Sequence, residues 1–300
     1  MARIAGAVLV LAGCVAGPHE DRPAPEEGLA VASFNFPESR LLAEIYAQAL
    51  EDEGVPVRRE LDLGPRELVL PALRQGRIDL VPEYLGSALT AAAPAATVDV
   101  SDPEAVSRAL AEAVRPWGLR VLQHAEAQNQ NGLVVTRATA ARLALHTTSD
   151  LRPVAGMLSL GGPPECPARR YCGQGLADVY GLHFAAFVPL AGQGYVRQAL
   201  DDHVIDVGVL FSTDGALAGD DLVLLDDDLG LQPAEHVVPV VRSEALAAAG
   251  GEQVTEALDD VSQVLTTASL RFLNWRVVVA GHDAASEARG WLIRQGLIER

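Results

Sequence analysis

Hydrophobic positions along the chain alternate between short strand-like runs and stripes at helical spacing. Residues 29–34 form an apolar run of strand length. After Phe34-Asn35-Phe36-Pro37-Glu38, the residues Leu41, Leu42, Ile45, Tyr46, Ala49 and Leu50 recur on one helical face, and Gly54 stops them. Residues 57–63 alternate as a strand. Asp102-Pro103-Glu104 opens a helix reaching about residue 116, with Asp102 as N-cap and Pro103 in the first position. Residues 133–135 predict a further strand and residues 156–175 a long loop. A returning strand at 237–241 precedes helices near 255–265 and 284–296. Asp226-Asp227-Asp228 reads as an exposed turn and lacks the alternating ligands of a calcium loop.

An internal echo organises these elements. Residues 72–84 read ALRQGRIDLVPEY and residues 199–211 read ALDDHVIDVGVLF. Both contain Ala-Leu, polar or turn-forming residues, Ile-Asp, an apolar run and an aromatic at the same offset. Upstream, Leu61 and Leu63 match Val188 and Leu190 weakly. Each copy predicts strand, short helix, turn, strand: a parallel βαβ pattern used twice. Open α/β sheets place ligands outside the carboxyl ends of their strands. Two such units facing one another would set Tyr84 and Phe211 on opposite walls of one cleft. The fold class is therefore α/β, with two lobes.

Composition narrows the function. The 300 residues carry a formal charge of −17 with no lysine; all 23 basic residues are arginine. That balance excludes nucleic acid as a partner, since it offers no basic block. The hydrophobic share of 49% suffices for a packed core. The chain has no GxxxxGK[ST], HExxH, GxSxG or strand-linked GxGxxG, so no enzyme class is indicated and no cofactor is called for. Seven scattered histidines suggest neither a metal site nor a triad. Ser212-Thr213-Asp214 reads as a cap for a helix after the Phe211 strand.

The first residues point outside the cytoplasm. Met1-Ala2-Arg3 gives a positive start and residues 4–12 a short apolar run; Leu11-Ala12-Gly13-Cys14 resembles the bacterial lipobox. Residues 1–13 are thus expected to be a lipoprotein signal, Cys14 the lipidated residue, and 14–28 a polar, Pro-rich tether. In an exported protein Cys166 and Cys172 read as a local disulfide; zinc is the rival, but it lacks further ligands at suitable spacing. Closing that loop contributes on the order of 2 kcal/mol and would fix the presentation of Arg169 and Arg170.

Five segments together carry a family resemblance. They are Ala32 to Glu38, Glu44 to Leu50, Pro82-Glu83-Tyr84-Leu85-Gly86-Ser87, Val179-Tyr180-Gly181 and Phe211-Ser212-Thr213-Asp214-Gly215. The chain resembles the substrate-binding proteins of glycine betaine, choline and related osmoprotectant ABC importers. The resemblance implies a type II periplasmic-binding fold whose two lobes grip a solute by hinge closure. Lobe one would comprise 29–130 and 236–300, lobe two 131–235. It also implies an extracytoplasmic, lipid-anchored monomer that delivers a small quaternary-amine or zwitterionic solute to an ABC permease and its ATPase. Another polar or aromatic solute, or a ligand-sensing ectodomain on the same fold, is the alternative.

In that family an aromatic cage holds the ammonium by cation–π attraction. Tyr84 keeps the tyrosine of the Pro-Glu-Tyr motif, and Ser87 the hydroxyl after it. Phe211 stands where many relatives have tyrosine. Asn131 replaces a ring, with Asn129 beside it, and Glu235 aligns near another lost tyrosine. Arg169 matches the carboxylate clamp, and Phe34 replaces a lysine. The implied ligand-binding set is therefore Tyr84, Ser87, Phe211, Arg169, Asn131, Asn129, Phe34 and Glu235.

Overall fold

The computed structural model describes residues 28–299. The expected signal, Cys14 and most of the tether lie outside the described residues. Two five-stranded mixed sheets form the frame. In the first sheet, β1 (Leu29–Phe34) leads into helix α1 (Pro37–Asp52), then β2 (Val57–Gly64), α2 (Arg66–Arg74) and β3 (Leu80–Tyr84). Helices α3 (Leu85–Ala92) and α4 (Pro103–Val114) follow, then β4 (Leu119–Val121). The second sheet takes β5 (Asn131–Thr136), α5 (Arg137–Leu143), β6 (Ser159–Gly162), α6 (Gly173–Tyr180), β7 (Ala186–Pro189), α7 (Gln193–Asp201), β8 (Val207–Phe211) and β9 (Leu222–Leu224). Strand β10 (Val237–Arg242) then joins the first sheet, antiparallel to β3 and β4. Helices α8 (Ser243–Ala248), α9 (Glu252–Val264), α10 (Thr267–Asn274) and α11 (Ala284–Gln295) complete the chain.

The strand orders are β2-β1-β3-β10-β4 and β7-β6-β8-β5-β9. The echoed units thus sit at equivalent places, each with one strand between its two members. The Ile-Asp pair explains why the echo exists. Asp79 accepts the Ala30 amide at 3.0 Å and donates its own N–H to Ala30 O at 2.8 Å. Asp206 does the same to Ser159, at 2.9 and 3.2 Å. Each aspartate clips the first residues of the neighbouring central strand, and Ile78 and Ile205 are buried beside it. The motif sets register, and the aromatic five residues on is thereby placed at the strand's carboxyl end.

Strand β6 lies inside the stretch expected to be a loop. Ser159-Leu160-Gly161-Gly162 has neither alternation nor branched residues, so it reads as a turn. The glycines are needed for packing. A Cβ on Gly161 would stand 2.5 Å from Ile205 Cδ1, and one on Gly162 3.1 Å from Val209. Asp102 caps α4 by accepting from the Glu104 and Ala105 amides, as its position predicts. In the Asp226 to Asp228 turn, Asp227 accepts from Tyr180 Oη and from the Leu231 and Gln232 amides. That turn therefore holds α6 in place while its outer acids face solvent.

Two chain segments connect the sheets. Gln128 and His236 form an antiparallel bridge, and the Asn129 amide donates to Glu235 O at 2.9 Å. A hydrophobic core of β1, β3, β10 and the surrounding helices fills the first lobe, and two smaller clusters cover the faces of the second sheet. Among the described residues no helix is long and apolar enough to cross a membrane.

Candidate functional site

A cleft of about 680 Å³ opens between the lobes where β1, β3 and β8 end. Its ring walls come from both sheets. Tyr84 closes β3 and is 6% exposed; Phe211 closes β8 and is 42% exposed. Phe36, in the turn after β1, stacks 6.3 Å from Tyr84 and 5.8 Å from Phe34. Val278 and Val279 add an exposed apolar rim.

The buried end of this cleft is a carboxylate. Glu38 sits in the first turn of α1, where the helix dipole favours an anion, and is 6% exposed. It accepts from Tyr84 Oη at 2.6 Å, Asn129 Nδ2 at 2.7 Å and Asn274 Nδ2 at 2.5 Å. Three donors hold it, and none of its described partners is an arginine. Burial and the neighbouring Glu38 push the Tyr84 phenol well above its ordinary range, so the hydroxyl stays protonated and donates. Such a floor presents negative charge beneath ring faces, a combination that attracts a cation.

The sequence-derived residues line two adjoining compartments, and some line both. Tyr84, Phe211, Phe34, Asn129, Ser87 and Glu235 line the ring-walled cleft. Phe34 is 3% exposed and carries the Arg66 guanidinium 5.1 Å above its ring. Arg66 is itself held by Glu83 at 2.9 Å; burial opposes its charge, but Glu83 more than offsets this and raises its pKa. Arg66, at the start of α2, thus sets an already paired cation over the Phe34 ring. Ser87 donates its hydroxyl to Glu235 at 2.7 Å and its amide at 3.0 Å. Glu235, expected in the ligand-binding set, lines the cleft with its carboxylate held by the start of α3. Burial pushes its carboxyl above the ordinary range against those two hydrogen bonds.

Arg169, Asn131 and Asn129 line an adjoining compartment of about 1060 Å³ with Arg170 and Tyr171. Phe211 stands at the junction, lining both. Asn131 pairs with Phe211 across β5 and β8, and its Nδ2 donates to Tyr171 O. Arg169 is exposed, on the loop closed by the Cys166–Cys172 disulfide. Arg169 thus lies in the second compartment and does not line the cleft that holds Tyr84.

Glu38, Phe36, Arg66 and Asn274 are the site residues that sequence reasoning missed. One signal could have found Asn274. The chain has four asparagines, and Asn35, Asn129, Asn131 and Asn274 all line these two compartments. Where a residue type is that scarce, its convergence on one region is informative.

Comparison with known proteins adds context to this geometry. Residues 27–294 match the family described as the substrate binding domain of ABC-type glycine betaine transport systems. The chain is 27% identical over 92% of its length to the glycine-betaine-binding protein of Pseudomonas aeruginosa, covering 90% of that protein. It is 24% identical over 91% of its length to the ergothioneine transport permease/ergothioneine binding protein of Helicobacter pylori, and spans 48% of that longer chain. A solved structure of a glycine betaine/carnitine/choline ABC transporter superposes with a TM-score of 0.84 at 23% identity, covering 90% of this chain and all of that one.

Proposed function

The chain belongs to the family of substrate-binding domains of ABC-type glycine betaine transport systems, and from that premise we propose that its ring-walled cleft captures a small quaternary ammonium solute. The observation that carries this reading is the buried Glu38 carboxylate, held by neutral donors beneath Tyr84 and close to Phe36 and Phe211. Fully methylated nitrogen cannot donate a hydrogen bond, so its recognition rests on ring faces and on diffuse negative charge. Arg66 is already neutralised by Glu83, so the ring compartment keeps its negative character. For a zwitterion, the anionic end would extend past Phe211 toward Arg169 and Arg170 in the second compartment.

The compounds named for the relatives (glycine betaine, carnitine, choline and ergothioneine) all carry a trimethylammonium group, which is the part this cleft would recognise. The captured solute would pass to a permease and its ATPase at the outer face of the membrane. The protein would act as a monomer without catalysis, held to the membrane by lipid on Cys14. Calorimetric titration with those four solutes and with neutral polyols tests the reading. Saturable binding of at least one quaternary amine and none of the polyols is the expected result. Failure of every quaternary amine to bind would overturn it. Incorporation of labelled fatty acid, lost in Cys14→Ala, tests the anchor.

A further inference from the structure

The two ring walls come from different sheets, and one helix touches the support of both. Asn274, the last residue of α10, is 6% exposed. Its Nδ2 donates to Glu38 Oε2 at 2.5 Å and to Thr213 O at 2.9 Å. Glu38 in turn holds the Tyr84 hydroxyl, and Thr213 lies two residues beyond Phe211. One turn earlier on the same helix, Arg271 donates from Nε and from a terminal nitrogen to Ser212 O at 3.0 and 2.8 Å. No carboxylate pairs with Arg271 among the described residues, so its guanidinium is committed to that carbonyl by two hydrogen bonds, and burial lowers its pKa. The chain then forms a π-helical turn at Trp275–Val279. Gly215 packs so tightly against this turn that a Cβ would stand 2.7 Å from Trp275 N and Cα.

We infer that α10 is the spacer of the cage: through Asn274 and Arg271 it fixes the distance between the Tyr84 wall and the Phe211 loop, and so sets the size of cation that fits. This rests on the reading of the cleft as a quaternary ammonium site. Both are positioning residues, acting through Glu38 and the Ser212-Thr213 backbone. The geometry makes Asn274 the shared donor. Its one amide nitrogen serves a carboxylate of the first lobe and a carbonyl of the second, and its Oδ1 has no hydrogen-bond partner. Leaving a buried acceptor unpaired is costly, and it persists here because the donor end does two jobs. Without Asn274, the carboxylate loses one of three donors and the Phe211 loop loses one of its ties to α10, the Arg271 bonds remaining.

The test compares two symmetrical cations of different size, tetramethylammonium and tetraethylammonium, by calorimetry on wild type, Asn274→Ala and Arg271→Gln. Wild-type binding of tetramethylammonium is the entry condition; if it is absent, the ammonium reading fails and the spacer is refuted with it. With binding present, loosening the spacer should weaken tetramethylammonium by about tenfold, the loss of roughly one anchored contact, while tetraethylammonium keeps or gains affinity. The ratio of the two constants therefore shifts toward the larger ion. Equal loss of both, or no change in either, would overturn the inference, since a merely structural residue moves both together. Arg271→Gln changes a half-buried position one turn earlier on the same helix, and it carries the test should Asn274→Ala fail to fold.

Discussion

The carboxyl ends of β3 and β8 grow from the same sequence pattern yet present different surfaces. On β3, Tyr84 is almost wholly buried, its hydroxyl tied to Glu38 and its ring stacked near Phe36. On β8, Phe211 lacks the hydroxyl and stands 42% exposed at the junction of two compartments. The Ile-Asp clip places both aromatics equivalently, so the difference does not come from the sheets. It comes from what each ring meets beyond its strand. Tyr84 faces the first turn of α1, which brings a carboxylate; the residues after Phe211 meet α10, which binds the backbone while the ring stays 42% exposed. One wall is thus preformed, while the other is open enough that a ligand bound as proposed would add to its burial.

Breaking the preformed wall should have the largest effect. Tyr84→Ala removes a ring face and one donor to a buried carboxylate, together roughly 3 kcal/mol or more. Calorimetry should show affinity for a quaternary amine falling by about a hundredfold or more, and thermal unfolding should drop as well. Tyr84→Phe keeps the ring, and its loss of about tenfold would measure the Glu38 contact by itself.

Phe211→Ala tests the other wall. Because the ring is exposed in the resting structure, stability should stay within about 0.5 kcal/mol of wild type. Affinity should fall by roughly tenfold to thirtyfold, the worth of one cation–π face. A large stability loss would mean that the Phe211 ring is already packed, and the contrast between the walls would disappear.

Acid sharpens the comparison from the wall beside Tyr84. Burial raises the Glu235 carboxyl above its ordinary 4.5, so the folded state holds this proton more tightly than the unfolded chain does. Stability from this group is present below the unfolded value and is lost as pH rises from there through the raised folded one. Glu235→Gln should therefore be more stable than wild type at neutral pH, with the advantage shrinking as pH falls through and below 4.5. Urea melts of both proteins across that range check the sign. The smallest effect on binding belongs to the disulfide. Reducing Cys166–Cys172 frees the Arg169–Arg170 loop and costs about 2 kcal/mol or less of stability. Choline, which has no anionic end, should bind as before, while glycine betaine and carnitine weaken.

Much of this contrast was legible in the residues. The Ile-Asp echo, the helix stop at Gly54, the Asp102 cap and the paired aromatics are local signals, and each corresponds to a feature of the two-lobed α/β fold. Strand β6 was hidden because its glycines serve packing against Ile205 and Val209 and erase the alternation a strand normally shows. The floor of the cleft was hidden for another reason. Glu38 and Asn274 meet across 236 positions of sequence, and nothing in either neighbourhood announces the other. Arg66 was missed because it reaches the Phe34 ring from the start of α2, 32 positions along the chain, and no local pattern links the two.

The central claim is that positive charge, held against ring faces and a buried carboxylate, is what this cleft selects. Titrating the wild-type protein with choline and with its neutral isostere, in which carbon replaces the ammonium nitrogen, tests it most directly because shape is held constant. The account predicts that choline binds at least about tenfold more tightly, the value of one or more cation–π contacts. Equal affinity for the two compounds would contradict it and leave a cleft that reads shape alone.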